Sequence, residues 1–257
     1  MISNLAYIHP DAQLGENVTI EPFTYIAENV IIGDNTWVGP STSILDGARI
    51  GKNCKIFPGA VVSGIPQDLK FAGEETTAEI GDNTILREGV TVNRGTVAAG
   101  KTVVGSNCLL MAYSHVGHDC VVGNNCILAN IAGLAGEAKV DDYAIISGGT
   151  FVHQFSRIGS HVIIGPLCKV RMDVPPFIKA ERDPQSFMGL NIVGLTRRGF
   201  GKERIDKIHD IYRTIYLKKM NISQALENVE KTFAPSEDRN YIIDFIRKSQ
   251  RGIIRAR

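Results

Sequence analysis

The sequence predicts a mainly β solenoid, a parallel β-helix of very short strands, followed by an α-helical C-terminal part. Three observations predict it. Stepping by six from Ile8 to Val170 visits 28 positions, and 25 of them hold Ile, Leu or Val. The position after the aliphatic one is often Gly, as at Gly15, Gly33, Gly51, Gly105 and Gly123. The position four after it is usually small, as at Thr36, Cys54, Ala60, Cys108 and Ala144. A period of six is too short for a pair of helices and out of phase with an amphipathic helix, but it fits one short strand and one turn. Stacked strands of that kind bury the aliphatic side chains inside a prism. Gly and Asn then turn its corners, as in Gly33-Asp34-Asn35 and Gly123-Asn124-Asn125.

The column has three exceptions, Asp68, Glu74 and Ala98. They fall in two interruptions, 63–79 and 93–103, which are expected to leave the prism as loops on one side and to carry binding groups. The repeat stops at Val174-Pro175-Pro176, because a double proline cannot continue the strand ladder. The expected organisation is therefore a β-helix over 1–176 with the two inserted loops, then an irregular connector and helical domain over 177–257. Within the latter, Ile205, Ile208, Ile211, Tyr212 and Ile215 lie at helical spacing. Ser223 is expected to cap a second helix running to Phe233, and Ser236 a third that ends near Gly252. Such a tail would cover the exposed edge of the last coil.

Composition excludes several classes. No apolar run reaches 18 residues, so no membrane span is expected, and the first residues lack the pattern of a signal peptide. A cytoplasmic location is the simple expectation. The five cysteines, Cys54, Cys108, Cys120, Cys126 and Cys168, all occupy the small position of the repeat. That spacing predicts buried free thiols and not a metal or redox motif. The formal net charge is +1, but residues 197–257 hold 15 Lys and Arg against 8 Asp and Glu. A basic tail beside a nearly neutral prism points to an acidic partner. No motif joins basic and aromatic residues as nucleic-acid binding would require.

Chemistry is concentrated in Met111-Ala-Tyr-Ser-His-Val-Gly-His-Asp119, where two histidines and an aspartate break the aliphatic pattern. Residues 18 apart should stack on successive coils, which places His118 on Gly136, with Glu137 beside it. An imidazole next to an exposed peptide N–H provides a base for a hydroxyl proton and a donor for an oxyanion, the two needs of acyl transfer. Asp119 is the candidate to orient the ring, although neighbours on a flat strand point apart, so the contact requires a corner there. A competing arrangement uses His115, His118 and His153 as three zinc ligands, as in β-helical carbonic anhydrases. Lys70 and the lack of a further histidine count against it.

The repeat resembles the hexapeptide acyltransferases, and that resemblance implies a left-handed parallel β-helix with three sides per coil and a homotrimeric assembly. Three sides per coil make about nine coils, on the order of 45 Å long at the ~4.8 Å spacing of strands. Five segments narrow the match: Gln67-Asp68-Leu69-Lys70, His115-Val116-Gly117-His118-Asp119, Val152-His153-Gln154-Phe155, Asp173-Val174-Pro175-Pro176 and Asn191-Ile-Val-Gly-Leu-Thr-Arg-Arg-Gly-Phe200. In this order they resemble the UDP-N-acetylglucosamine O-acyltransferases that begin lipid A biosynthesis. The resemblance implies His118 as general base toward the sugar 3-hydroxyl and the Gly136 N–H as oxyanion donor. The acyl donor would be a 3-hydroxyacyl thioester on the phosphopantetheine of acyl carrier protein, with no other cofactor and no metal. Gln67, Asp68, Lys70, His115, Glu137, His153, Gln154, Asn191, Arg197 and Arg198 would hold the UDP-sugar or the phosphopantetheine arm, at sites between subunits. Glu137 stands where better-known members carry His, Val193 replaces an acidic residue, and Pro166 replaces a Gly in the region that measures acyl length. Relatives acting as N-acyltransferases or as CoA-dependent acetyltransferases on other amino sugars usually lack the first and last of these segments.

Overall fold

A computed structural model describes residues 1–218 and 220–256. Residues 7–170 wind through two- to four-residue strands that assemble into three parallel sheets, the faces of a prism. The first face stacks nine strands from Tyr7–Ile8 to Lys169–Val170, and the second eight from Gln13–Leu14 to Arg157–Ile158. The third stacks strands from Thr19–Ile20 to Ile163–Ile164 and then gains three more from the C-terminal part. Each strand pairs with the one a coil later, as in Tyr7↔Tyr25 and His115↔Gly133.

The aliphatic column is the core. Ile26, Val38, Ile44, Ile56, Leu86, Leu110, Val116, Leu128 and Leu134 are fully enclosed. Their burial is the main favourable term, about 1.5–3 kcal/mol for each large aliphatic side chain. The small position has its own cause. Its hydroxyl or thiol turns back to a corner carbonyl of the next coil: Thr36 Oγ1 donates to the Gly51 carbonyl at 2.9 Å, and Cys108 Sγ to the Gly123 carbonyl at 3.1 Å. A carbonyl that the ladder leaves without a partner is thereby satisfied. All five cysteines are buried and free.

Corners use the left-handed region of backbone space, which Asn enters more readily than most side chains. Asn17, Asn35, Asn53, Asn83, Asn107 and Asn125 share one corner column at φ between 55° and 58°. The two insertions add whole hexads: Val62 pairs with Val92, and Val92 with Val116. Asp68, Glu74 and Ala98 are therefore looped out, and the phase resumes undisturbed. The strands Val61–Gly64, Thr77–Ile80, Thr91–Asn93 and Lys101–Val104 reach into the expected interruptions, so the loops proper are 65–76 and 94–100.

The C-terminal part departs from expectation in two places. Residues 177–200 are not irregular. Ile178–Glu181 extends the third face in parallel, Ser186–Leu190 pairs with it antiparallel, and a short helix α1, Ile192–Arg197, follows. Three longer helices come next: α2, Lys202–Leu217; α3, Ile222–Thr232; and α4, Glu237–Arg247. Ser236 caps α4 as expected. Ser223 does not cap α3, because Asn221 does: its side chain accepts the Gln224 N–H, and Gln224 accepts the Asn221 N–H in return. That reciprocal pair satisfies two free donors at the helix start, and Ser223 lies two residues further on, already inside the first turn. The tail is fastened to the prism through Tyr212, whose hydroxyl donates to the Pro176 carbonyl at 2.7 Å, and through Tyr241.

Candidate active site

The His118 corner joins the first face to the second. His115 and Val116 form a strand on the first face, with Val116 in the core and His115 turned outward. His115 Nδ1 lies 2.7 Å from Thr91 Oγ1 on the preceding coil. Burial, and secondarily the neighbouring His118, push the His115 pKa below its ordinary value, so the ring is neutral near pH 7. The chain then turns: Gly117 N–H pairs with the Leu134 carbonyl at 2.9 Å, and Asp119 adopts φ 59°. This left-handed residue brings two neighbouring side chains to the same side. His118 Nδ1 lies 2.8 Å from Asp119 Oδ2, and Asp119 is only 2 % exposed.

With Nδ1 committed to the carboxylate, the lone pair of a neutral ring falls on Nε2. Nε2 lies over Gly136 of the next coil, so close that a Cβ there would collide with Nε2 and Cε1. The Gly136 N–H has no hydrogen-bond acceptor among the described residues, whereas the N–H groups of Ala135 and Glu137 are both paired. Base and free peptide donor open into one cavity of about 540 Å³. Its lining mixes polar and charged side chains, among them Gln67, Asn93, His115, Lys169 and Arg171, with the apolar Leu134, Phe151, Val152 and Val170. The arrangement can deprotonate a hydroxyl and stabilise an oxyanion beside room for an apolar chain.

The chain is similar to known acyltransferases. Residues 173–254 match the family model of the second domain of UDP-N-acetylglucosamine O-acyltransferase, and 29–64 and 101–136 match bacterial transferase hexapeptide repeats. Over 262 aligned residues the chain is 48 % identical to the acyl-[acyl-carrier-protein]–UDP-N-acetylglucosamine O-acyltransferase of Aliivibrio fischeri, covering 99 % of this chain and all of that one. The same enzyme of Thiobacillus denitrificans is 45 % identical, covering 97 % of each. The crystal structure of a UDP-N-acetylglucosamine acyltransferase from Bacteroides fragilis superimposes with a TM-score of 0.97 at 54 % identity, covering 99 % of this chain and 100 % of that one. The chain belongs to the UDP-N-acetylglucosamine O-acyltransferase family.

Six residues expected from the family's motifs line the cavity: Gln67, His115, His118, Gly136, His153 and Gln154. Asp119 stands behind His118 and does not line it. Asp68 and Lys70 share the loop of Gln67 but are turned elsewhere, Asp68 accepting the Lys70 N–H at 2.9 Å. Glu137 faces a different cavity, with Lys139, Asp141 and Arg157, because the left-handed corner carries its side chain onto the second face. Pro166 is exposed at the corner that leads back to the first face. Asn191, Arg197 and Arg198 lie a full face away from His118. Asn191 caps α1 and donates to the His161 carbonyl at 2.9 Å, while the Arg198 guanidinium sits 5.3 Å from the Tyr143 ring centroid. Tyr143 and His161 mark the corner between the second and third faces.

Among the described residues no group of three or more His, Cys, Asp or Glu could hold a metal, so His115, His118 and His153 do not form a zinc site within one chain. Asn93, Phe151, Lys169 and Arg171 also line the cavity and were not expected. The repeat already contained the signal for two of them: His115, Gly133, Phe151 and Lys169 are successive members of one outward column, 18 residues apart.

Proposed function

We propose that this chain transfers a 3-hydroxyacyl group from the thioester of acyl carrier protein to the 3-hydroxyl of UDP-N-acetylglucosamine, the first step of lipid A biosynthesis. The observation that carries the reading is the His118–Asp119 pair aimed at Gly136, whose N–H is free. His118 Nε2 takes the hydroxyl proton as the sugar oxygen attacks the thioester carbonyl. The oxyanion that forms faces the Gly136 N–H. Collapse breaks the C–S bond, and the imidazolium returns its proton to the departing phosphopantetheine thiolate. Asp119 holds the ring in place and faces the positive charge that His118 carries between those two transfers.

The complete site lies between chains of a homotrimer in this proposal. Two observations support that. Asn191, Arg197 and Arg198 cannot reach His118 within one chain, since a whole face intervenes. Phe23, Tyr113, Ile131 and Leu167 are large apolar side chains exposed along the corner between the third and first faces, a stripe that suits a buried subunit contact. Arg197 and Arg198 then meet the diphosphate or the acidic carrier protein. The reaction is set in the cytoplasm in this proposal, a reading that five free, buried thiols support. Among the described residues no helix is long and apolar enough to cross a membrane.

Incubating the purified protein with UDP-N-acetylglucosamine and 3-hydroxyacyl carrier proteins of graded chain length tests the proposal. The expected product is a base-labile ester of the nucleotide sugar, formed with one preferred chain length. A base-stable amide, or no transfer from any donor, contradicts it.

A further inference from the structure

The second insertion contributes only Asn93, at its first residue, to the cavity lining, and its loop, 94–100, contributes nothing. That loop folds onto the carboxylate behind the base instead. Asp119 Oδ1 accepts the Thr96 N–H at 2.9 Å and the Ala99 N–H at 3.2 Å. Asp119 Oδ2 accepts the Thr96 hydroxyl at 2.7 Å, beside His118 Nδ1 at 2.8 Å. The Asp119 N–H donates to Thr102 Oγ1 at 2.8 Å, where the insertion rejoins the second face. Thr96 is itself 6 % exposed. Its Oγ1 also receives the Ala98 N–H at 3.2 Å, which leaves its own proton to point at Oδ2. The two backbone partners of this carboxylate can only donate to it.

We propose that Thr96 is a positioning residue for catalysis: with Ala99 it clamps the Asp119 carboxylate, and through it fixes the His118 ring with Nε2 over Gly136. The assignment rests on His118 being the general base. Its physical basis is that a buried carboxylate left short of donors rotates or admits water to find one, and a base displaced by a fraction of an ångström loses rate steeply. A 94–100 loop that served only to connect two strands would not need to saturate that one carboxylate.

Thr96→Val keeps the shape and both backbone donors and removes only the hydroxyl. Its kcat is expected to fall roughly tenfold or more, as for loss of a hydrogen bond to a charged group, with KM for both substrates within about twofold. Thr96→Ser should restore most of the rate. If the valine chain does not fold, Thr96→Ala makes the same comparison. A cycle with Asp119→Asn separates positioning from a general loss of stability. When Asp119 is already altered, removing the Thr96 hydroxyl should cost little further rate, whereas two independent losses that multiply would overturn the assignment. An unchanged kcat in Thr96→Val overturns it as well. Running His118→Ala alongside keeps the two readings apart: if that variant stays active, the base assignment fails, and if it is inactive while Thr96→Val is normal, only the clamp fails.

Discussion

At the scale of single residues the site depends on one missing side chain. Gly136 does not lie in the left-handed region, so alanine suits its backbone there. The three atoms nearest to the new Cβ all belong to the His118 imidazole. Gly136→Ala should therefore fold with little change in melting temperature and lose kcat by about two orders of magnitude or more, as expected when a base and an oxyanion donor are displaced together. Steady-state kinetics and thermal melting on one preparation check it, and a variant of normal kcat would show that the imidazole does not work over this glycine. The pairing of His118 with Gly136 was legible from the sequence, since stepping by 18 finds it. Where Glu137 points was not legible, because step counting ignores what a corner does: at φ 61° Glu137 swings onto the adjoining face. The same corner geometry is what lets Asp119 reach its neighbour. Sequence reasoning could state that a corner was required, but not that one existed.

At the scale of elements, the hexad both wrote the strands and hid the exceptions. The two loops add whole hexads, so the three polar or small members of the column marked the insertions without shifting the phase. The hairpin of Ile178–Glu181 and Ser186–Leu190 was missed because it extends the third face without the six-residue signature. The α3 start was placed two residues late because a serine was preferred over the Asn221–Gln224 reciprocal pair. The junction of tail and prism has a specific fastening. The Tyr241 hydroxyl donates to Asp141 Oδ2 at 2.6 Å and accepts the Ser160 N–H at 2.8 Å. Burial already pushes the Asp141 pKa up, with the Tyr241 bond opposing it. Tyr241→Phe strands both partners, so it should destabilise the fold by about 1–3 kcal/mol in denaturant unfolding. A loss below ~0.3 kcal/mol, within the scatter of neutral substitutions, would show that this junction contributes nothing.

At the scale of the whole molecule, acid should act through the buried corner between the second and third faces. His161 is stacked between Tyr143 and Phe177, at 4.9 and 5.7 Å between centroids. Burial foremost, then the Arg198 and Arg204 charges, depress its pKa to about 4 from an ordinary 6.5. The unfolded chain then binds a proton that the folded chain refuses between those values, so stability falls as pH drops from 6.5 toward 4 and its loss levels off below. Asp141, raised by burial, acts in the opposite sense. His161→Phe should flatten the decline in melting temperature across that window, and an identical slope would remove the assignment. Assembly is tested by mixing. Chains carrying His118→Ala and chains carrying Arg198→Ala, each inactive alone, should regain part of the activity when refolded together, because some seams then receive both intact residues. No recovery would place the complete site within one chain.

The measurement that bears most directly on the central claim is turnover by His118→Ala. With saturating UDP-N-acetylglucosamine and the preferred acyl carrier protein, kcat should fall by about three orders of magnitude or more, while the melting temperature changes little, since His118 lies outside the aliphatic core. A variant that turns over at the wild-type rate would contradict the account.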